Sequence, residues 1–228
     1  MKIIKQISLL LLQVLFVLPW ASHASANTLD PISAEEISRA MLFTAAPTTN
    51  LQARASGADD AQNQEPPTLE FLGVKAHRFE KSEQNNGYRW ADTLVYDYAT
   101  DELVTTVINL ATNSVISVER TREMQPPLSE NELERAMSIV FEDDEELSVL
   151  AAEFKNITGE TLTSKQQLQY KAFTFFADSM PNIVNDASKA CGAQRCAQIL
   201  IYSADRISFK YSPILNLSAG VVTQRISH

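Results

Sequence analysis

Two stretches of the chain share one hydrophobic and polar rhythm. In Asp30-Pro-Ile-Ser-Ala-Glu-Glu-Ile-Ser-Arg-Ala-Met41 the apolar positions are Ile32, Ile37, Ala40 and Met41. In Pro126-Pro-Leu-Ser-Glu-Asn-Glu-Leu-Glu-Arg-Ala-Met137 and just beyond they are Leu128, Leu133, Ala136, Met137 and Val140. From Ile37 and from Leu133 onward this is the spacing of one buried helical face. Each stretch also carries a helix start. Ser33 with Glu36, and Ser129 with Glu132, are spaced as capping boxes, in which side chain and backbone satisfy each other's free N–H groups. Ile32 with Ile37, and Leu128 with Leu133, are spaced as hydrophobic staples. The pattern predicts helices over 33–45 and 129–141, and the recurrence of a whole phrase predicts an internal duplication.

The alternating runs after each helix repeat as well. Arg89-Trp-Ala-Asp-Thr-Leu-Val-Tyr96 resembles Arg195-Cys-Ala-Gln-Ile-Leu-Ile-Tyr202, and Val107–Ile116 resembles Ile214–Val222. They are rich in β-branched and aromatic residues and bounded by turn formers, as strands are. With the earlier runs Thr68–Phe79 and Leu168–Ala177, each unit reads as a helix followed by four strands. Thr100-Asp101, Thr112-Asn113, Asp205-Arg206 and Ala219-Gly220 are the expected hairpin turns. A further helix is expected over about Asp144–Lys155, with the acids Glu142–Glu146 at its positive end. The expected fold class is α+β: two tandem α-β4 units, each a helix packed on a four-stranded antiparallel sheet. The units span 27–122 and 123–228, and 46–67 form a mobile, linker-like insert rich in Pro, Gln, Asn and Asp.

Residues 1–26 stand outside this pattern. Lys2 and Lys5, the apolar run Ile7–Leu18 and Ala24-Ser25-Ala26 have the three parts of a secretory signal peptide. The apolar run is too short to span a bilayer, so the expected mature protein is exported, periplasmic or secreted, without membrane insertion. Lys2 and Lys5 are the only charges in 1–26, so the net charge deepens from -9 for the whole chain to -11 without them. That balance argues against nucleic acid and leaves an unknown protein or a cationic small molecule as the partner classes. The only two cysteines, Cys191 and Cys196, are expected to form a structural disulfide in an exported protein. A redox dithiol normally has two intervening residues and precedes a helix, whereas here four intervene and a strand follows.

Catalytic chemistry finds little support. His77 and His228 are the only histidines beyond residue 26, too few for a three-histidine metal site, and His77 reads as a packing residue. No glycine-rich phosphate loop and no nucleophile elbow occurs, and Ser164-Lys165 reads as a polar loop. Glu142–Glu146 lack the alternating ligands and turn glycine of a calcium loop. Carboxylates are plentiful, but nothing in their spacing singles out a pair. Arg89 and Arg195, which open the second strand of each unit, read as partners of acids at the sheet edge. Asn109 and Asn216 read as turn supports, and Trp90, Tyr96 and Tyr98 as core and sheet-face residues. The expectation is no catalytic residue, no metal and no cofactor.

The helix-start phrase, the Arg-x-Ala strand opening and the apolar-Asn-Leu-x-x-x-x-Val hairpin resemble the N-terminal region of copper amine oxidases. The likeness covers most of 28–224 and is clearest over Val115–Leu150. It implies two small cystatin-like domains of the kind that precede the catalytic β-sandwich in that family. The family commonly has Asp where this chain has Asn109 and Asn216. It requires three histidines on copper and a tyrosine, in an Asn-Tyr-Asp/Glu context, that becomes topaquinone. No tyrosine here follows an asparagine, so no catalytic residue carries over. The resemblance implies an exported non-catalytic binding or accessory protein. Its alternative is a non-catalytic subunit of a separately encoded copper amine oxidase.

Overall fold

Both capping boxes form. The computed structural model describes residues 30–44, 68–82 and 87–227. The expected leader 1–26, the expected insert 46–67 and His228 lie outside them. Helix α1 is Ala34–Met41 and helix α2 is Glu130–Glu142. In each, the N-cap serine accepts from the backbone N–H of the glutamate three residues on, and that glutamate accepts from the serine's own N–H. A third helix, α3 (Asp144–Thr158), follows α2 after one residue. Asp143 ends α2 and caps α3, accepting from the N–H groups of Glu145 and Glu146. Gly159 closes α3 at φ 77°, a left-handed conformation that favours glycine.

The strands form two separate antiparallel meanders. The first contains β1 (Leu69–Ala76), β2 (Trp90–Asp97), β3 (Glu102–Asn109) and β4 (Ser114–Arg122), in that order. The second contains β5 (Gln169–Thr174), β6 (Cys196–Tyr202), β7 (Tyr211–Asn216) and β8 (Val221–Ser227), again in order. The four expected turns are all present. Asp101, Asn113, Arg206 and Gly220, the second residue of each, take positive φ. Strands β6 and β7 keep only the pairings Cys196 to Asn216 through Gln198 to Ile214, so Asp205-Arg206 sits in a longer connection.

The likeness of the two sheets extends to irregularities. In the last hairpin of the first sheet Asn109 pairs with Ser114 and Ile108 with Val115, then Ile116 bulges before Val107 meets Ser117. In the second, Asn216 pairs with Val221 and Leu215 with Val222, then Thr223 bulges before Ile214 meets Gln224. Bulges re-aim side chains and strengthen local twist, and here both do so at the same place.

Each sheet buries one face under its helices. Ala40 of α1 packs with Ala91, Ile108 and Leu110. Ala136, Met137 and Val140 of α2, with Leu150 and Phe154 of α3, pack on Ala197, Ile199 and Ile201 of β6 and on Leu215 and Leu217. The opposite face of the second sheet has its own small core, in which the Cys191–Cys196 disulfide meets Phe175, Ile214 and Ile226. That face is covered by the irregular chain between β5 and β6, including the 3-10 turns Ala177–Ser179 and Asp186–Ser188.

Candidate functional site

Arg195 stands immediately before β6, and its side chain reaches the start of α2. Its Nε donates to Glu132 Oε1 and its Nη2 to Glu132 Oε2, both at 2.8 Å. Nη1 donates to the Pro126 carbonyl at 2.7 Å and to Gln125 Oε1 at 3.2 Å. Nη2 also donates to the Pro127 carbonyl at 3.2 Å. The guanidinium has five N–H bonds, and all are used. Glu132 is equally occupied. Its Oε1 also accepts from the Tyr98 hydroxyl at 2.5 Å, and its Oε2 from the Ser129 backbone N–H at 2.8 Å. Both side chains are 0% exposed. Burial pushes the Glu132 carboxyl upward, but the hydrogen bonds and charge of Arg195 outweigh it and hold the group below the usual carboxylate range.

The first unit repeats the device. Arg89 donates from Nε and Nη2 to the two oxygens of Glu36, each at 2.8 Å. Its Nη1 donates to the Asp30 carbonyl at 2.7 Å and its Nη2 to the Pro31 carbonyl at 2.9 Å. Hydrogen bonding to Arg89 lowers the Glu36 pKa to about 2, against the cost of burial. The pair is slightly more open here, at 10% and 8% side-chain exposure. The two arginines therefore do not sit at a sheet edge, as the sequence suggested. They precede the second strand, an inner one, and tie it to the capping box and to the two carbonyls before the helix.

The two units meet at this device. The end of the β2–β3 hairpin lies over it, with the Tyr96 ring centre 5.1 Å from the Arg195 guanidinium carbon. Asp101 accepts from Tyr96 at 3.1 Å and from Ser218 of the second unit at 2.5 Å. Glu70, 2% exposed, accepts from Ser129 Oγ at 2.7 Å and from Asn131 Nδ2 at 3.1 Å. Burial raises its pKa more than these bonds lower it, and the nearby Glu132 adds to the rise. Arg135 lies 4.4 Å over the Tyr98 ring. Its Nε and Nη2 are buried without a hydrogen-bond partner among the described residues.

The other residues singled out by sequence are scattered. Cys191 and Cys196 are bonded, with Cα atoms 5.3 Å apart. His77 places Nδ1 2.5 Å from Asp92 and its ring against Phe79 and Trp90. Trp90 stacks on Tyr88 at 5.3 Å, so it belongs to an aromatic cluster on the sheet face. Asn109 and Asn216 each accept backbone N–H groups in the following turn. Within the acidic run, Glu145 and Glu146 hold Arg225 of β8. Ser164-Lys165 is not a loop. Lys165 begins the 3-10 turn Lys165–Gln167 and reaches Glu134 at 3.2 Å. Among the described residues no group of three or more His, Cys, Asp or Glu side chains could hold a metal, and no helix is long and apolar enough to cross a membrane.

Sequence reasoning missed Glu36 and Glu132 as ion-pair partners, Glu70 at the junction, and one surface feature. An open cleft of about 360 Å³ lies between the end of α2, the outer face of α3 and the chain that follows α3. Phe141, Leu147, Ala151 and Leu162 line it, with Asp144, Ser148 and Thr163.

The fold and its buried pairs define an α+β protein of two similar helix-on-sheet units. No family model matches the chain, and no curated protein matches it by sequence. Among solved structures the chain is similar to a copper-containing benzylamine oxidase from Hansenula polymorpha, with a TM-score of 0.44 and 11% identity. The match covers 89% of this chain and 30% of that one, so the chain spans under a third of that enzyme's length.

Proposed function

We propose that the protein is an exported, non-catalytic binding or accessory module. The observation that carries this reading is the state of its buried charges. At Arg195 and Glu132 every donor and acceptor is consumed in holding β6 to the α2 capping box. A group so engaged has no lone pair or proton left for a substrate without breaking the unit. Arg89 and Glu36 are committed in the same way. Native mass spectrometry of the protein taken from its exported fraction tests the reading. A retained ligand or partner is expected, and amine turnover by the chain alone would overturn it.

A second reading is a non-catalytic subunit of a separately encoded amine oxidase, and the edge strand β4 favours it. Its residues are exposed along nearly its whole length, including Val115 at 46% and Val118 at 59%. The corresponding β8 is guarded, since Asn185 bonds the Thr223 carbonyl and Gln224, and Ser188 bonds Thr223. An exposed edge strand that carries Val115, Ile116 and Val118 is a place for a protein partner to add a strand. Amine turnover that arises only after a second polypeptide is added would select this reading.

A further inference from the structure

The cleft beside α3 has the composition of a ligand site. Its floor is Phe141, Leu147, Ala151 and Leu162, and its volume of about 360 Å³ falls within the range of small-molecule pockets. Phe141 and Leu162 also pack on the main core of the second unit, so the floor is anchored by the fold. Leu147 and Ala151 are four apart on α3 and face the cleft, whereas Leu150 and Phe154 face the sheet. Helix α3 thus presents Leu147 and Ala151 on a side that the core does not use.

Asp144 is the only charged side chain in the cleft's lining, with Lys155 one turn beyond Ala151 on the same side of α3. Residues 141–153 include six carboxylates and neither Lys nor Arg. Most have structural work: Asp143 caps α3, Glu145 and Glu146 hold Arg225, and Glu153 accepts from the Lys210 backbone. Asp144 is different. It lines the cleft, is exposed, and forms no ion pair among the described residues. Ser148 lies one turn on along the same side of the helix and adds a hydroxyl to the lining.

We infer that this cleft binds a small molecule with an apolar body and a cationic end, the body on Phe141 and Leu147 and the charge toward Asp144. The inference deepens the binding-module reading and rests on it. An apolar occupant gains by covering the floor, while the Asp144 carboxylate in the lining favours a cation over an anion of the same shape. Anionic ligands of equal size are therefore the natural control.

The test uses the protein without its leader and two probes that share one body, 4-phenylbutyltrimethylammonium and 4-phenylbutyrate. Amide shifts in nuclear magnetic resonance spectra locate each probe, and titration measures its affinity. The cation is expected to shift residues 141–151 and 162–163 and to bind at least about tenfold more tightly than the anion. Ala151→Phe, which fills the cleft, abolishes the shifts. Asp144→Asn weakens the cation about threefold, the size of an exposed ion pair, and leaves the anion no weaker. Unfolding midpoints of both variants confirm that they fold, and Ser148→Leu serves as a second blocking change. Equal affinity for both probes, shifts centred elsewhere, or unchanged binding in both blocked variants would overturn the inference. Such a failure leaves the binding-module reading intact, because that reading fails instead on turnover by the chain alone.

Discussion

Arg195 and Glu132 face each other through two parallel hydrogen bonds of 2.8 Å, with neither side chain exposed. Burying two charges is costly, and such a pair is tolerated only when the geometry is good and the remaining polar atoms are satisfied. Here Tyr98, Ser129, Gln125 and the Pro126 and Pro127 carbonyls complete the set. The pair joins a helix start to an inner strand and, through Tyr98, one unit to the other.

Removing one member of this pair should therefore be severe. Arg195→Met leaves Glu132 buried without its cation and should lower unfolding free energy by about 3–5 kcal/mol. Arg195→Lys should recover little of it, because an ammonium cannot supply the forked donors. Arg89→Met should cost less, since its pair is 10% and 8% exposed and water can reach it. Urea unfolding of the three variants measures this order. Equal losses at Arg89 and Arg195 would show that burial does not set the cost.

Glu70 gives a prediction with the opposite sign. Its folded pKa is raised by burial, so the native state holds its proton more tightly than the unfolded chain does. The contribution is favourable in acid and is lost as pH rises through the folded pKa. Glu70→Gln keeps an acceptor for Ser129 and Asn131 without the charge. Its unfolding midpoint should equal or exceed that of the unchanged protein at pH 7, and the difference should vanish near pH 4. A midpoint well below at pH 7 would mean that the charge itself holds the junction.

Glu36 acts in the other direction. Its folded pKa of about 2 lies below that of an unfolded carboxyl, so its contribution is present above the ordinary carboxylate range. It is lost as pH falls toward 2. In Glu36→Gln the fall in unfolding midpoint between pH 5 and pH 2 should be shallower than in the unchanged protein. An identical acid profile would remove the Arg89–Glu36 pair from the acid response.

The helix starts were legible because a capping box is local: Ser33 with Glu36 and Ser129 with Glu132 lie three residues apart and carry their own geometry. The meanders were legible because turns such as Thr112-Asn113 and Ala219-Gly220 separate alternating runs. The partners of the two glutamates were not. Arg195 reaches Glu132 across 63 residues of sequence, and strand periodicity does not show which acid a residue just before a strand will meet. Glu70 looks like any polar residue of an alternating strand, and its burial comes from the other unit. The cleft did leave a trace in the spacing of Leu147 and Ala151. A run of five acids, Glu142–Glu146, at a helix start draws attention to its charge first, and to Leu147 and Ala151 second.

The disulfide joins residues five apart and sits in a small core with Phe175 and Ile226. So short a loop restricts the unfolded chain only modestly. Replacing both cysteines by alanine should cost about 2 kcal/mol in reversible unfolding and leave the protein folded. A loss of the native circular dichroism spectrum would show that the bridge, and not the core around it, organises the chain between β5 and β6.

Oxidation of primary amines tests most directly the proposal that this chain binds and does not catalyse. Copper amine oxidase chemistry requires three imidazoles and a tyrosine converted to a quinone. Beyond residue 26 the chain has only His77 and His228, and no tyrosine follows an asparagine. His77 is already engaged by Asp92 and packed against Phe79 and Trp90. Purified protein incubated with copper, oxygen and a series of primary amines should release no hydrogen peroxide and develop no visible quinone band. A quinone band at one equivalent per chain, or peroxide release that scales with the amount of this chain alone, would contradict the account.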